Sequence, residues 1–457
     1  MRLSRFLIAV ALMLCTALRL VAFPLKVAGI DTMRTAVWIH DLRWGYDLVN
    51  ANIDKSLIPA SVMKTVTCAS LLNLADSEER FLTVVSATGE VSDSVLNGNI
   101  VVKTVGDPTI ESQYFDETKG FADSIAASLL RLGVCRVKGD VIIDESRFPD
   151  ATTPPGWMAE DIPWYYGARL QGSNFRDNRF RLTLPSKKTV PEVPDLKFQF
   201  VKSKRRGVKV DRKDGSETMV VSGNMRRGFS ETFSMPYPCK AMRAEILAVL
   251  GEAGISVDNG TVKDSCDETD IYVHRSPRFG DIMQSLMFRS DNLMAEGMLR
   301  AIVPGGTRRQ AIEEVQAVWS MLGISAHGVN IVDGSGLSRD NRLTARFLGE
   351  VSRHMLAEEF GNEYISLLPL AGYDGTMKSF LVDTPLEGRV AMKTGSMKGI
   401  QSYSGYLLDS EGKPTHLLVF MANGFRCSRA ALKNDIQRLL LELFDVSLQS
   451  NLQESKE

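Results

Sequence analysis

Apolar and polar positions follow three different rhythms along this chain. Near its start, "TAVWIHDLRWGYDLVNAN" reads as two short strands around a turn at Arg43-Trp44-Gly45. The next stretch, "SLIPASVMKTVTCASLLNLA", predicts a loop and then a helix from about Ala60 to Leu74, with Pro59 fixing its entrance. That helix is apolar around most of its surface, so it should be central and buried. From about Phe81 the texture becomes β-rich: "FLTVVSATG", "GNIVVKTVGDPT", "GDVIIDESRF", "RFRLTLPS" and "LKFQFVKSK" are short apolar runs broken by turn residues. Two helical pieces interrupt them, "FADSIAASLLRLG" and "CKAMRAEILAVLGEAG". Helical spacing returns from about Ser276, in "RFGDIMQSLMFRSDNLMAEGMLRAI" and "RRQAIEEVQAVWSMLG". Three strands, "RVAMKTGS", "QSYSGYLLD" and "HLLVFMANG", precede a final helix from about Ser428 to Phe444. Antiparallel strands at both ends with helices between them predict an α+β domain closed by pairing N-terminal with C-terminal strands. The β-rich middle is then an insertion of one or two domains. The expected boundaries are residues 23–80 and 276–457 for the split domain and 81–275 for the insertion.

The first 22 residues change the picture of where the protein works. A basic start, "MRLSR", leads into the apolar run "FLIAVALMLCTAL", which is shorter than the ~20 residues needed to span a bilayer. This is the pattern of a secretory signal peptide, with cleavage expected after Ala22. An exported, periplasmic protein without a stable transmembrane segment follows. Net charge is −1, with 44% hydrophobic and 24% charged residues, so no global field favours nucleic acid. Six cysteines include no C-x-x-C pair. Cys68 reads as a small buried hydrophobe, and Cys239 with Cys266 is a candidate disulfide that competes with two free thiols. The five histidines are scattered without metal-ligand spacing, so neither metal nor other cofactor is expected.

Chemistry concentrates in three short stretches. In Ser61-Val62-Met63-Lys64 the serine and lysine stand three residues apart, on one face of the predicted helix. A serine hydroxyl is a poor nucleophile until a base takes its proton. Lysine becomes such a base when burial and the positive helix start disfavour its charge. By itself the motif is common. Ser290-Asp291-Asn292 lies at the junction of two predicted helices, where a helix cap is the plainer reading. Lys393-Thr394-Gly395 ends a predicted strand. The three together, in this order and in these elements, are the signatures of the penicillin-binding and serine β-lactamase superfamily.

The flanking residues narrow the resemblance. "IPASVMK", "RSDNLMAE", "DGSGLSRDNRLTA", "LPLAGYDGTM" and "GRVAMKTGS" resemble the D-alanyl-D-alanine carboxypeptidase/endopeptidase family, the class C low-molecular-mass penicillin-binding proteins. More than two hundred residues separate Ser61 from Ser290, an interval far longer than in serine β-lactamases. In the family it holds inserted domains, which suits the β-rich middle. The resemblance thins between residues 75 and 275. There, "KTVGDPTI" keeps only Gly106 of a usual glycine run, and "GSNFRDNRF" matches an Asn-rich stretch only in part. Both departures bear on substrate fit and domain packing.

The resemblance implies a transpeptidase-like fold and the following roles. Ser61 attacks the carbonyl of a D-Ala-D-Ala bond in a peptidoglycan peptide, and Lys64 accepts its proton. Ser290 relays a proton to the leaving amine. Asn292 orients the substrate and Lys64. Lys393 keeps the pocket positive and Thr394 binds the terminal carboxylate. Gly395 lets the strand edge approach the peptide, and the backbone N–H groups of Ser61 and Ser396 form the oxyanion hole. β-Lactams would acylate Ser61. Arg339 could face a substrate carboxylate or sit in a surface ion pair. Trp157, Glu160 and Asp161 resemble the segment that lines the pocket for the peptide side chain, or else form an aromatic-anchored loop. The basic run "KSKRRGVKVDRK" reads as a solvated hairpin more than an anion-binding site. The alternatives are a β-lactamase or esterase within the superfamily, and a catalytically silent wall-binding protein outside it.

Overall fold

A computed structural model describes residues 23–184, 186, 188–203, 207–223, 229–262 and 268–444. The expected signal peptide and Cys266 lie outside the described residues. Five strands form the central sheet: β1 (Thr35–Asp41), β2 (Tyr46–Ala51), β3 (Val390–Met397), β4 (Ile400–Leu408) and β5 (Pro414–Asn423). Their spatial order is β3-β4-β5-β1-β2, and every neighbouring pair is antiparallel. The two chain ends therefore meet where Val37 faces Phe420 across the β1–β5 ladder. Every residue of β4 is buried, because both faces of this sheet are covered.

The alternation of side chains along β1 shows how the two layers divide. Ala36 and Trp38 join the core beneath the helices, whereas Val37 and Ile39 join the core on the opposite face. The first layer contains α1 (Met63–Leu74), α2 (Phe279–Arg289), α3 (Asn292–Ala301), α4 (Arg308–Met321) and α5 (Ala345–Met355). The second contains α6 (Arg429–Phe444), which presents Leu432, Ile436, Leu439 and Leu440 to the sheet. Helix α1 lies at the centre of the first layer and is buried from Met63 through Leu72. Cys68 is buried with it.

The chain leaves this frame after α1 and returns to it before α2. The outgoing strand Leu82–Thr88 and the returning strand Glu268–Arg275 pair with each other, Leu82 facing Arg275. Such a two-stranded neck lets a long excursion begin and end at one place. Between these strands the chain builds its own core from Val85, Ile100, Phe121, Ile125, Phe180, Phe233 and Ile246, among others. The helices Phe121–Arg131 and Pro238–Glu252 lie within this part.

Two elements differ from the sequence reading. The run from Lys202 to Lys213 is no hairpin: Lys197–Lys202 and Val208–Asp211 flank a third strand, Thr218–Gly223, and do not pair with each other. The turn residues after Asp211 carry the chain back through the middle, which local alternation could not reveal. Helix α5 was not anticipated either. Its start is set by Thr344, whose hydroxyl accepts from the Phe347 N–H at 3.0 Å. No helix among the described residues is long and apolar enough to cross a membrane.

Because Thr344 is buried and supplies that cap, Thr344→Ala should lower unfolding free energy by about 1 kcal/mol in urea titrations. An unchanged midpoint would show that the cap contributes nothing there.

Candidate active site

Ser61 stands where the chain turns into α1. Ala60, just before it, has a left-handed backbone (φ 51°) and packs under Gly336, where a Cβ would come within 2.0 Å of the Ala60 carbonyl oxygen. One short turn later, Lys64 projects from the first turn of α1. Its Nζ lies 3.1 Å from Ser61 Oγ, 2.7 Å from Asn292 Oδ1 and 2.6 Å from the Ser335 carbonyl oxygen. None of these three partners is a carboxylate, and Lys64 has no solvent-exposed surface. Burial pulls its pKa from 10.5 to about 8 against the more distant pull of Asp333, Asp291 and Glu296.

Ser290 joins α2 to α3 in a left-handed conformation (φ 59°, ψ 38°). The tripeptide divides its contacts between a helix cap and the neighbourhood of Lys64, on different residues. Asp291 caps α3 by accepting from the Met294 N–H at 3.0 Å and forms an ion pair with Arg179 of the inserted part. Asn292 faces the site: its Oδ1 accepts from Lys64, and its Nδ2 donates to the Tyr166 carbonyl at 2.8 Å. Both ends of the amide are engaged, which fixes its orientation.

The third stretch lies inside β3 and not at its end. Strand β3 is the sheet's edge, and Leu370 covers it only at Ala391, leaving the stretch from Thr394 onward open for an added strand. Lys393 is fully buried and donates to the Thr394 carbonyl at 2.9 Å. Burial first, and then the neighbouring Lys64, push its pKa well below the ordinary lysine value. The sequence reading gave Lys393 a standing positive charge; in the free site its surroundings oppose that charge. Thr394 Oγ1 donates to Thr376 Oγ1 at 2.8 Å, and Ser396 is exposed on the open edge. At Gly395 a Cβ would lie 2.7 Å from the Pro59 carbonyl oxygen and 2.9 Å from the Ser61 nitrogen. Only glycine lets β3 pass this close to the start of α1.

A cleft of about 620 Å³ opens above these groups, and its walls bring together Ser61, Ser290, Asn292, Ser396, Arg339, Glu160 and Asp161. Lys64, Lys393 and Gly395 lie buried beneath it. Arg339 makes no ion pair among the described residues. Asp161 accepts from the Tyr166 hydroxyl at 3.0 Å, and burial raises its pKa. Trp157 is not on the wall. It is buried, and its Nε1 donates to Asp333 Oδ2 at 2.8 Å, so an aromatic matched by resemblance serves the loop beneath the cleft.

Several contributors escaped the sequence reading. Asp333 also accepts from the backbone N–H groups of Gly336 and Ser338 at 2.8 and 2.7 Å, and from Asn341 Nδ2 at 2.7 Å. Glu296 accepts from the Ser335 N–H at 2.9 Å, and burial moves its pKa up to about 7. Together they hold the Ser335 carbonyl against Lys64. The spacing of Glu296 four residues after Asn292, on one helix face, was a usable signal. A backbone carbonyl as lysine partner carries none.

A profile of the D-Ala-D-Ala carboxypeptidase 3 (S13) family matches residues 25–443 of the chain. The chain is 25% identical over 422 residues to the D-alanyl-D-alanine carboxypeptidase DacB of Haemophilus influenzae, covering 87% of this chain and 86% of that protein. It is 26% identical over 424 residues to a D-alanyl-D-alanine carboxypeptidase of an Actinomadura species, covering 83% and 76%. The crystal structure of penicillin-binding protein 4 from Haemophilus influenzae superposes with a TM-score of 0.77 at 23% identity, covering 92% of this chain and 98% of the other, and so shares the fold.

Displacing β3 from the start of α1 should disable the site without removing any reactive group. Gly395→Val is expected to slow labelling by a fluorescent penicillin at least about a hundredfold. Labelling at the wild-type rate would mean that the close approach is dispensable.

Proposed function

The chain belongs to the D-Ala-D-Ala carboxypeptidase 3 (S13) family and is a serine peptidase, and on that premise we propose that Ser61 is the nucleophile with Lys64 as its base. The observation that carries this reading is the buried Lys64 ammonium site, which bridges Ser61 Oγ and Asn292 Oδ1 with no carboxylate in contact. A lysine so placed is unprotonated in a useful fraction of molecules near neutral pH.

In the proposed reaction a peptide ending in D-Ala-D-Ala lies along the open edge of β3 as an added strand. Ser61 Oγ attacks the scissile carbonyl and Lys64 Nζ takes its proton. The backbone N–H groups of Ser61 and Ser396 stabilise the oxyanion, each worth ~3 kcal/mol in a preorganised site. Ser290 passes a proton to the leaving nitrogen, replaced from Lys64, and the C–N bond breaks to release D-alanine. Water then attacks the ester carbonyl, Lys64 again takes a proton, and Ser61 leaves with its hydroxyl restored.

The carboxylate of the substrate would sit near Thr394 and Arg339. Its charge favours a proton on Lys393, and a charged Lys393 in turn favours neutral Lys64. Substrate binding would thus favour the charge on Lys393 that burial opposes in the free site. Glu160 and Asp161 would face the amino end of a diamino acid preceding the D-alanines. Trp157 would act only by holding Asp333.

This reading extends to DD-endopeptidase action, since a cross-link presents the same D-alanyl carbonyl with a different leaving amine. β-Lactams are expected to acylate Ser61 and leave slowly. The work of such an enzyme lies in the cell wall, which fits an exported protein of the periplasm. The segment 81–275 is proposed as one inserted unit.

Two outcomes test the roles. Ser61→Ala should abolish both penicillin labelling and release of D-alanine from defined muropeptides; label retained by a folded variant would remove Ser61 as nucleophile. The acylation rate should also rise with pH as Lys64 loses its proton, levelling off above about 8. Between pH 6 and that plateau the gain should be about a hundredfold. A flat profile from pH 6 to 9 would contradict Lys64 as base.

A further inference from the structure

A second groove of about 680 Å³ adjoins the cleft. It lies over the strands Arg179–Thr183 and Ser230–Ser234, and Arg179 belongs to the walls of both hollows. Its charged residues are Glu111, Asp177, Lys119, Arg176, Arg179 and Arg181. Both acids are already engaged. Glu111 Oε1 accepts from the Phe121 N–H at 2.8 Å, and Asp177 accepts from Ser112 Oγ at 2.6 Å and Gln113 Nε2 at 2.9 Å. Three of the cations are paired as well: Lys119 with Asp116, Arg176 with Glu245, and Arg179 with Asp291. Arg181 is exposed and makes no ion pair among the described residues. The groove therefore holds one uncommitted positive charge.

The backbone that delivers these arginines is strained. Arg176, Asp177 and Asn178 have φ of 52°, 55° and 50°, three left-handed residues in succession without a glycine. Each is disfavoured for a residue with a Cβ, and such a run persists only where its surroundings over-determine it. Asn178 does so by accepting from the Phe175 N–H at 3.0 Å and donating to the Arg169 carbonyl at 3.0 Å. The strand that follows places Arg179 and Arg181 on the same face, two residues apart. Strain concentrates where a particular side-chain position matters, and here it sets the two arginines.

The charges of the two hollows also differ: the cleft carries Glu160 and Asp161 beside Arg289, Arg339 and Lys398, whereas the groove's exposed cation without an ion pair among the described residues is Arg181. Glu160 and Asp161 line the cleft wall with Tyr165, and the Arg179 guanidinium lies 5.0 Å over the Tyr165 ring. Beyond Arg179 comes Arg181. A stem peptide read outward from its D-alanines carries first a diamino acid and then a glutamyl residue with a free carboxylate. Its charges thus run amine, then carboxylate, and the acids Glu160 and Asp161 in the cleft and Arg181 in the adjoining groove each offer one of them a partner of opposite sign.

We propose that this groove is a specificity subsite for the glutamyl carboxylate of the stem peptide, read by Arg181 across the wall formed by Arg179. The assignment rests on the carboxypeptidase reading above and extends it two residues up the substrate. Arg181 touches neither the reacting atoms nor the groups that hold them, so it discriminates between substrates without taking part in the chemistry.

The test uses two pentapeptides that differ only in whether the glutamyl carboxylate is free or amidated, with kcat/KM read from released D-alanine. The wild-type protein should prefer the free acid by about tenfold, the value of one charge-assisted contact at a partly exposed site. Arg181→Ala should erase that preference by slowing only the free-acid peptide, and Arg181→Lys should retain part of it. Penicillin acylation of both variants should proceed at the wild-type rate, since so small a ligand does not reach the groove. A wild-type ratio of one, or an Arg181→Ala variant that slows both peptides alike, would overturn the subsite while leaving the carboxypeptidase intact. Release of D-alanine from neither peptide would overturn the carboxypeptidase reading and this subsite with it.

Discussion

A lysine ammonium removed from water, with backbone and amide oxygens but no carboxylate in contact, holds its proton weakly. Lys64 is in that position, and much of the fold exists to keep it there. Helix α1 must be buried on nearly every side, which requires helices on one face and the sheet on the other. The carboxylates that could stabilise the charge are kept at one remove. Asp333 and Glu296 spend their oxygens on backbone N–H groups of the 334–338 loop, and Asp291 on the cap of α3 and on Arg179. They still oppose the loss of the proton, which is why burial lowers the Lys64 pKa only to about 8. Desolvation balanced against distant acids thus brings the proposed base toward neutrality.

The three reactive stretches come from regions separated by hundreds of residues, and each is held by a different kind of contact. Steric closeness seats β3 on the start of α1 through Gly395. Hydrogen bonds fix Asn292 between Lys64 and the Tyr166 carbonyl. An ion pair, Arg179 with Asp291, ties the inserted part to the cap of α3. The last two bring Tyr166 and Arg179, from the segment between the paired neck strands, directly against the candidate site.

Much of this was legible in the sequence. The period-2 runs at both ends announced the central sheet, and the largely apolar surface of residues 60–74 announced a buried helix. Ser61, Lys64, Ser290, Asn292 and Lys393 could be proposed as site residues because side-chain chemistry at fixed spacing leaves a pattern. The Ser335 carbonyl left none, since every residue has one. Arg179 looked like an ordinary polar position of a β-rich stretch, because its partners Tyr114 and Asp291 are remote in sequence. For Trp157 two readings stood open, pocket wall or loop anchor, and its buried bond to Asp333 matches the second. Resemblance locates a segment but not the direction of one side chain. The burial of Lys393, which opposes its charge, cannot be read from a motif.

The most direct test is to titrate Lys64 itself. Protein labelled with 13C at the lysine ε carbon, compared with Lys64→Arg to assign the signal, would report the protonation of that ammonium by NMR. The account predicts a transition near pH 8, about where the rate of acylation levels off. A transition at or above the ordinary lysine value of about 10.5 would contradict it.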